Sequence, residues 1–334
     1  MAEGIERAAR IERFLAGRGW ADARRIPLAG DASFRRYERL RRGLRRAVLM
    51  DAPPGHEDVR PYLRIARHLA GLGYSAPAIH AEDAEAGLLL VEDLGDASFT
   101  RLLAADGQGD AEELYGAAID LLADLHRKPA PPGLGAYDEA LYLAEADLLL
   151  DWYLPAVPGL PAPEPLRASY HHVWREVLPR AALGRSVLVL RDYHADNLMW
   201  LAARRGLARV GLLDFQDALA GSPAYDVVSL LEDCRRDVPP ELAERMIARY
   251  LDAMAEIDAA AFRASYAVLG AQRNAKIVGI FTRLWRRDAK SAYLGLIPTV
   301  WRLLERDLAH PALDPVREWF DQHVPPPFRR APVP

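Results

Sequence analysis

Three polar residues, Asp192, Asn197 and Asp214, have the types and spacing of a site for phosphoryl transfer. Asn197 precedes one short apolar run and Asp214 follows another, and the polar segment between them contains Arg205-Gly206, which favours a β-hairpin turn. A two-residue turn at that dipeptide would place Asn197 directly opposite Asp214. An amide oxygen and a carboxylate at one end of a hairpin could hold a hard cation such as Mg²⁺. Asp192, five residues before Asn197, would then be a carboxylate base beside the cation, an arrangement that serves phosphoryl transfer from a nucleotide.

The composition favours a globular protein that works on small molecules. The chain has 334 residues, 51% hydrophobic and 27% charged, which is enough for a large core and two lobes. Its net charge of −4 argues against nucleic acid as the main partner, because phosphate backbones require a concentrated basic surface. The single cysteine, Cys234, suits a reducing compartment. The sequence also lacks a secretory signal pattern and a bilayer-spanning apolar stretch. We therefore expect a cytoplasmic monomer without a membrane partner.

The periodicity of apolar residues predicts an α+β protein with two lobes. The predicted segments are a helix at 5–16, strands at 25–28, 33–40 and 47–50, a helix at 58–70 and a strand at 88–91. From residue 99 onward the pattern is mostly helical, apart from strands within residues 186–214. We therefore predict a small, β-rich N-terminal lobe over residues 1–93 and a larger, mostly helical C-terminal lobe over residues 94–334.

The segments around the three polar residues resemble a known family. Residues 191–197 and 213–226 are similar to the matching segments of the protein-kinase-like superfamily and, within it, of the aminoglycoside phosphotransferase family. The resemblance covers nearly the whole sequence and implies a two-lobed protein-kinase-like fold. It also implies that Asp192 accepts or orients the proton of an acceptor hydroxyl, and that Asn197 and Asp214 bind Mg²⁺ on the phosphates of ATP. Taken singly, the three could be a turn former, a hairpin edge and a helix cap, but their joint spacing favours the kinase site.

A fourth aspartate, Asp226, is assigned to structural support. It is a good N-cap for a helix that would begin at Val227, because a carboxylate satisfies free backbone N–H groups there. The resemblance implies that the matching aspartate also braces the catalytic loop, and the two roles are compatible.

Two further segments are predicted to contact the nucleotide. A tight turn between the first two strands can aim backbone N–H groups at a phosphate, although an ordinary hairpin turn would look much the same. Its residues are Gly30, Asp31, Ala32, Ser33 and Phe34. At the predicted junction of the lobes, Glu92 and Leu94 follow an apolar strand, where backbone carbonyl and N–H groups would meet adenine. A plain linker is the alternative there.

The sequence lacks the lysine that kinases of the resembled fold usually place on the third strand, and has Met50 instead. The glutamate that pairs with this lysine is missing too, since residues 59–70 contain no carboxylate. Another cation could neutralise the phosphates, and Arg35 and Arg36 on the second strand are candidates. Only one of them can face the nucleotide, because side chains alternate along a strand. The next helix carries three arginines on one face, which we expect to be solvated rather than phosphate-facing. They are Arg60, Arg64 and Arg67.

Several segments resemble one branch of the family, the anomeric sugar kinases of bacterial cell-wall recycling. These segments are residues 48–54, 213–218, 228–234 and 278–284. The resemblance implies transfer of phosphate from ATP to the C1 hydroxyl of an amino sugar, N-acetylmuramate or N-acetylglucosamine. The lactyl carboxylate of N-acetylmuramate calls for a cation in the substrate site. The candidate substrate-binding residues are Asp151, Arg191, His194, Gln216 and Arg283, and the further candidate cations are Arg273, Lys276 and Lys290.

Two alternative functions stay open. The acidic residues within 137–166, together with Trp152 and Tyr153, would also suit an aminoglycoside or choline. A solvated acidic face with core aromatics explains the same residues, and we prefer it. The other alternative is a nucleotide-binding protein without catalytic activity, which the missing lysine suggests and the intact Asp192, Asn197 and Asp214 argue against.

Overall fold

The structure of the protein is a computed structural model, which describes residues 2–28, 34–105, 109–157 and 163–333. Its strands are β1 (Arg24–Pro27), β2 (Arg36–Arg42), β3 (Arg45–Asp51), β4 (Ile79–Asp83), β5 (Leu88–Val91), β6 (Val187–Val189), β7 (Leu198–Trp200), β8 (Val210–Leu212) and β9 (Leu219–Gly221). Its helices are α1 (Ala2–Ala16), α2 (Arg60–Gly71), α3 (Phe99–Ala105), α4 (Gly109–His126), α5 (Glu139–Leu148), α6 (Leu154–Ala156), α7 (Glu164–Val177), α8 (Ala224–Leu231), α9 (Pro240–Ala253), α10 (Ala259–Asp288), α11 (Ile297–Leu308) and α12 (Asp314–His323). A π-helical segment, Leu149–Tyr153, joins α5 to α6.

Most elements predicted for the N-terminal third are present. The helix predicted at 5–16 is α1, the one at 58–70 is α2, and the strands at 25–28, 47–50 and 88–91 are β1, β3 and β5. β2 begins at Arg36 rather than at residue 33. The predicted turn residues Gly30, Asp31, Ala32 and Ser33 lie outside the described residues. β4 was missed by the sequence analysis, although Ile79, His80, Ala81 and Glu82 alternate between apolar and polar types as in a half-buried strand.

Residue contacts divide the protein into two compact units. The first comprises Met1–Ala117 and Asp196–Ala218, and the second comprises Ala118–Ala195 and Leu219–Pro334. The β7–β8 pair therefore groups with the N-terminal sheet, although it lies far along the sequence. The boundary between residues 93 and 94 rests on the change from strand to helix, and it stays a prediction.

The first unit contains a five-stranded antiparallel sheet with the order β1-β2-β3-β5-β4. Because side chains alternate along each strand, the sheet has two different faces. On one face, Leu40 and Leu49 pack in a buried cluster with Phe14 of α1. On the other face, Tyr37 lies opposite Met50 across β2 and β3. The helix thus seals one face, and the second face is the one that lines a cavity, described below.

The second unit is organised by the 30-residue helix α10. Residues Phe262 to Leu284 of this helix are mostly buried, so neighbouring elements cover it on several sides. Gly279 is required by one of these contacts, because a Cβ atom there would collide with the backbone of Leu148 at the end of α5. The glycine therefore allows α10 to approach the end of α5 at backbone distance. Over the part of the sequence that the structure describes, no helix combines the length and apolar character needed to cross a membrane.

A buried polar network joins α8, α10 and α11 within the second unit. Asn274 Nδ2 donates to Glu232 Oε2 at 2.7 Å and to Asp307 Oδ2 at 2.9 Å. Arg306 forms an ion pair with Glu232 at 3.0 Å. Gly270 leaves room for the Asp307 carboxyl group, because a Cβ atom at position 270 would lie 2.7 Å from Asp307 Oδ2. Burial, and then the charge of Glu232, raise the pKa of Asp307 well above its usual range, so folding favours the neutral form of this carboxyl group.

We predict that Asp307→Asn flattens the pH dependence of stability. Because the pKa of Asp307 is higher in the folded state, stability is fully present below the unfolded-state pKa and is lost as the pH rises towards the folded-state value. Asparagine keeps a neutral hydrogen-bonding group and does not titrate. Melting temperatures measured between about pH 5 and about pH 9 should therefore fall less in the variant than in the wild type.

The matched control for this prediction is Asp252→Asn, which changes an exposed aspartate on α9. Its melting curves should follow the wild type. Parallel pH profiles for Asp307→Asn and the wild type would contradict the assignment of a neutral Asp307.

Candidate active site

The β7–β8 hairpin positions Asn197 and Asp214, with a register that differs from the predicted one. Leu198 lies opposite Leu212, and the Leu213 N–H donates to the Asn197 C=O at 2.9 Å. The predicted pairing of Asn197 with Asp214 is therefore wrong by one residue. The reason is the turn, because the strands are connected by residues 201–209, which include a 3₁₀ segment at Gly206–Arg209, and not by two residues.

Asn197 and Asp214 nevertheless line the same cavity of about 280 Å³, which lies within the first unit. Although the strand register differs by one residue from the prediction, both residues line this cavity. Most of the remaining wall is apolar or consists of the predicted hinge, and it includes Leu28, Tyr37, Val48, Met50, Tyr62, Val91, Glu92, Leu94 and Met199. An apolar pocket with a few polar groups at one place is typical of a small-molecule site.

The oxygen atoms around Asp214 match the ligand chemistry of a hard cation. Asp214 has a left-handed backbone, with φ of 57°, which is uncommon outside glycine and recurs at functional sites. Gln216 Nε2 donates to Asp214 Oδ1 at 2.9 Å. The Oε1 atom of Gln216 is buried without a hydrogen-bond partner among the described residues. Together with the Asn197 amide, these groups fit Mg²⁺, which binds one or two protein oxygens plus water and phosphate.

Within the described ranges, no cluster of three or more His, Cys, Asp or Glu side chains could hold a metal ion by itself. Asn197 and Asp214 would contribute only part of the coordination shell of a bound Mg²⁺. Such a site needs a phosphate-bearing ligand to complete it.

Arg35 lies beside Asp214. Its Nη2 atom is 3.5 Å from Asp214 Oδ1 and its Nε atom is 3.8 Å from Glu57, with only 9% of the side chain exposed. Arg36 is exposed instead. Of the two candidate replacement cations, the structure therefore places Arg35 next to the predicted metal ligand. Phe34, the last residue of the predicted phosphate turn, is 64% exposed, and its N–H donates to the Glu57 carboxylate at 3.2 Å.

Two apolar side chains line the cavity on the third strand and the following helix. Met50 is buried on the cavity face of β3, and Tyr62 of α2 lines the same cavity and stacks on Phe215 at 4.9 Å between ring centroids. The wall here is therefore apolar. The three arginines of α2 are exposed, as predicted for a solvated face. They are Arg60, Arg64 and Arg67.

Arg39 fixes the predicted hinge and was missed by the sequence analysis. This buried side chain of β2 forms ion pairs with Asp93 at 2.9 Å and Asp96 at 2.8 Å, and its Nη2 donates to the Gly95 C=O at 2.9 Å. The Glu92 carboxylate is held in turn by an ion pair with Arg204. The side chains of the hinge are thus engaged with other protein groups. Alternation along β2 puts Arg39 on the same face as Tyr37, which could have marked it as a candidate, although its contacts depend on strand register.

In the second unit, Asp226 holds the loop that carries Asp192. Its carboxylate accepts hydrogen bonds from the Leu190 N–H at 2.7 Å and from the Arg191 N–H at 2.8 Å. The predicted N-cap role is wrong, because α8 begins at Ala224 and Asp226 lies inside its first turn. The carboxylate binds the loop that carries Asp192 instead of capping the helix.

The structure brings Arg191 and Lys276 together on one acidic group. Glu145 forms ion pairs with Arg191 and, at 2.8 Å, with Lys276 Nζ. Burial alone would raise the pKa of Glu145, but the charges of Lys276 and Arg191 outweigh it and hold that pKa below its usual value. Arg191 also lies over the Tyr137 ring, at 5.3 Å from its centroid. Two of the predicted substrate cations are thus engaged by one internal carboxylate.

The remaining predicted substrate residues occupy different environments. Asp151 is exposed and forms an ion pair with Arg167 at 2.5 Å. His194 is buried, which lowers its pKa, and burial also lowers the pKa of Arg283. Gln216 belongs to the first unit and contacts Asp214. Asp151, His194 and Gln216 thus occupy an exposed position, a buried position and a position in the first unit, respectively.

Most of the predicted acidic stretch is exposed and paired on the protein surface. Glu139 forms an ion pair with Arg175, and Asp147 forms ion pairs with Arg167 and His171. Tyr153, by contrast, is completely buried and accepts a hydrogen bond from Trp301 Nε1 at 3.0 Å. These contacts favour the preferred interpretation of this stretch, a solvated acidic face with core aromatics.

Comparisons of the whole sequence agree with the predicted family. The profile of the phosphotransferase enzyme family (APH) matches residues 24–262. A protein of Caulobacter vibrioides, named N-acetylmuramate/N-acetylglucosamine kinase, is 39% identical over a match that spans 99% of this sequence and 100% of the relative. A protein of Pseudomonas aeruginosa with the same name is 38% identical over 87% of this sequence and 86% of the relative.

The fold agrees as well. The ADP-bound crystal structure of the aminoglycoside phosphotransferase APH(2'')-Ib matches with a TM-score of 0.58 and 15% identity, over 87% of this protein and 96% of that enzyme. The predicted α+β class with a protein-kinase-like fold is thereby confirmed.

We predict that Arg35→Ala raises the Kd for MgATP by about tenfold or more, since a lost charge-assisted contact to phosphate is worth ~1.5–3 kcal/mol. Arg36→Ala and Arg64→Ala, which truncate exposed arginines, should leave this Kd nearly unchanged. Isothermal titration of the variants with MgATP measures the difference. An Arg35→Ala protein that binds MgATP as tightly as the wild type would remove Arg35 from the phosphate site.

Proposed function

Because this chain belongs to the phosphotransferase enzyme family, we propose that it is an ATP- and Mg²⁺-dependent kinase of N-acetylmuramate and N-acetylglucosamine. The acceptor we propose is the anomeric C1 hydroxyl, and the cellular role is the recycling of cell-wall amino sugars. The observation that carries the proposal is the 39% identity to the Caulobacter vibrioides kinase over 99% of this sequence. We further propose a cytoplasmic monomer, as the sequence predicts.

The nucleotide would occupy the cavity of the first unit. Its adenine would meet the backbone at Glu92 and Leu94, where Arg204 pairs with Glu92 and Arg39 pairs with the intervening Asp93. Asn197 and Asp214 would hold Mg²⁺, which neutralises and orients the phosphates when bound. Arg35 would supply the positive charge that a third-strand lysine supplies elsewhere. This division of roles is supported by the cavity lining and by the contact between Arg35 and Asp214.

Asp192 would act on the acceptor. The sugar oxygen forms a bond to the γ-phosphorus as the bond from that phosphorus to the β–γ bridging oxygen breaks, and the Asp192 carboxylate accepts the hydroxyl proton. An anomeric hydroxyl is more acidic than an ordinary alcohol, so a carboxylate of ordinary basicity is a sufficient partner. Asp192 precedes Asn197 by five residues, so the backbone itself ties the base to the metal ligand.

The alternative of a cationic acceptor, such as an aminoglycoside or choline, has less support. The acidic residues that would attract it are paired with Arg167, His171 and Arg175, and Tyr153 is buried in the core. A cationic substrate would have to displace these internal cations.

The test is a kinase assay on a panel of acceptors with ATP and Mg²⁺. We expect phosphorylation of N-acetylmuramate and N-acetylglucosamine, and none of glucose, kanamycin or choline. The methyl glycoside of N-acetylglucosamine, which lacks a free C1 hydroxyl, should be inert. Asp192→Asn should bind ATP normally and lose roughly 10²–10⁴ in kcat, because proton acceptance is removed while the phosphate site stays intact.

Each part of the proposal has its own contrary result. Turnover of the methyl glycoside would exclude the anomeric hydroxyl, and turnover of kanamycin or choline alone would establish the alternative. Binding of ATP without turnover of any acceptor would indicate a non-catalytic protein. Near wild-type kcat in Asp192→Asn would remove Asp192 from proton transfer.

The metal site gives a separate prediction. Asp214→Ala should weaken Mg²⁺-dependent ATP binding more than Asn197→Ala, because a carboxylate neutralises cation charge and an amide only coordinates. The measurement is the ratio of ATP Kd values with and without Mg²⁺ in each variant. If neither variant changes this ratio, the two residues do not hold the metal.

A further inference from the structure

The peptide group immediately before Asp192 is held from both ends. Arg191 has a left-handed backbone, with φ of 70°, which is uncommon for a residue with a long side chain. Its carbonyl accepts a hydrogen bond from Ser229 Oγ at 2.9 Å, and the N–H at the other end of the same peptide group, that of Asp192, donates to the Leu190 C=O at 2.9 Å. A peptide group is planar, so these two bonds fix the plane from which the Asp192 side chain projects.

Ser229 is on α8, three residues after Asp226, so the two residues lie on one helix face. Asp226 accepts a hydrogen bond from the Arg191 N–H, and Ser229 donates one to the Arg191 C=O. Asp226 alone holds only the N–H side of the left-handed residue. The ψ rotation of Arg191 sets the direction of the following Asp192 peptide group. This rotation is restrained by the hydrogen bond from Ser229 to the Arg191 C=O.

Arg273 of α10 determines which way the serine hydroxyl points. Its Nη2 atom lies 3.1 Å from Ser229 Oγ, and both residues are buried. A guanidinium can only donate, so Ser229 must accept from Arg273 and direct its single proton to the Arg191 carbonyl. A buried guanidinium is costly to desolvate, and its place here indicates a role beyond core packing.

We propose that Ser229 and Arg273 are positioning residues that hold the Asp192 peptide plane in register with the acceptor hydroxyl. The inference rests on the proposed function, in that Asp192 accepts the hydroxyl proton. It adds that a relay, from Arg273 of α10 through Ser229 of α8, fixes the base. In this inference the buried Arg273 serves the relay and not the substrate site for which it was a candidate cation.

The first test uses kinetics with N-acetylglucosamine and ATP. Ser229→Ala and Arg273→Met should each lower kcat by about 10- to 100-fold, because small misplacements of a reacting group have effects of this size, and should leave the KM for ATP unchanged. Because the two residues act in series, Arg273→Met should add less than about twofold to kcat once Ser229 is alanine. Arg273→Lys keeps a donor and should recover part of the loss.

The matched control is Ser265→Ala. Ser265 is equally buried in the same unit, and its hydroxyl donates to the Ala181 C=O at 2.8 Å, away from the loop. It should lower the melting temperature about as much as Ser229→Ala does, with kcat unchanged. Equal losses of kcat in Ser229→Ala and Ser265→Ala would overturn the relay. It would also be overturned if the effects of Ser229→Ala and Arg273→Met on kcat multiply in the double variant.

A readout that needs no turnover separates this inference from the proposed function. Hydrogen exchange of the Asp192 amide should accelerate at least about tenfold in Ser229→Ala and Arg273→Met, and remain as in the wild type in Ser265→Ala. Unchanged exchange in all three variants would overturn the inference even if the protein proves to be the proposed kinase. If exchange is faster in Ser229→Ala and Arg273→Met but the wild type phosphorylates no sugar, the relay is supported and the proposed function is wrong.

Discussion

The loop that carries Asp192 in the second unit depends on two backbone hydrogen bonds to one buried carboxylate. Asp226 is completely buried, and it accepts from two successive N–H groups of the loop that carries Asp192. Hydrogen bonds to a charged acceptor contribute roughly 1.5–3 kcal/mol each. A left-handed residue such as Arg191 costs about 1–3 kcal/mol. The two bonds together are large enough to offset the backbone strain, so the loop can keep a shape that its own sequence disfavours.

The first unit depends on the alternation of side chains along its sheet. One face is closed by α1, and the other presents Met50 and Tyr37 to the cavity. The cations near this face are Arg39 of β2, which lies at the hinge, and Arg35, which immediately precedes β2 and lies beside Asp214.

Much of this architecture follows from the sequence, and the failures have identifiable causes. Helices and strands of the N-terminal third were predicted by periodicity, and residue chemistry selected Asn197 and Asp214 for the same cavity. The hairpin register failed because a long loop replaces the assumed two-residue turn, and one residue is enough to change a partner. The prediction that Asp226 caps a helix failed because its carboxylate oxygens accept hydrogen bonds from a loop that is distant in sequence. The hinge contacts of Arg39 depend on strand register, which spacing alone does not provide.

The contact of Gly279 with the backbone of Leu148 limits how this protein can diverge. Protein interiors are close-packed, and a backbone cannot yield locally as a flexible side chain can. No single substitution enlarges residue 279 unless the end of α5 moves at the same time. That position therefore stays closed to every larger residue for as long as α5 keeps its place.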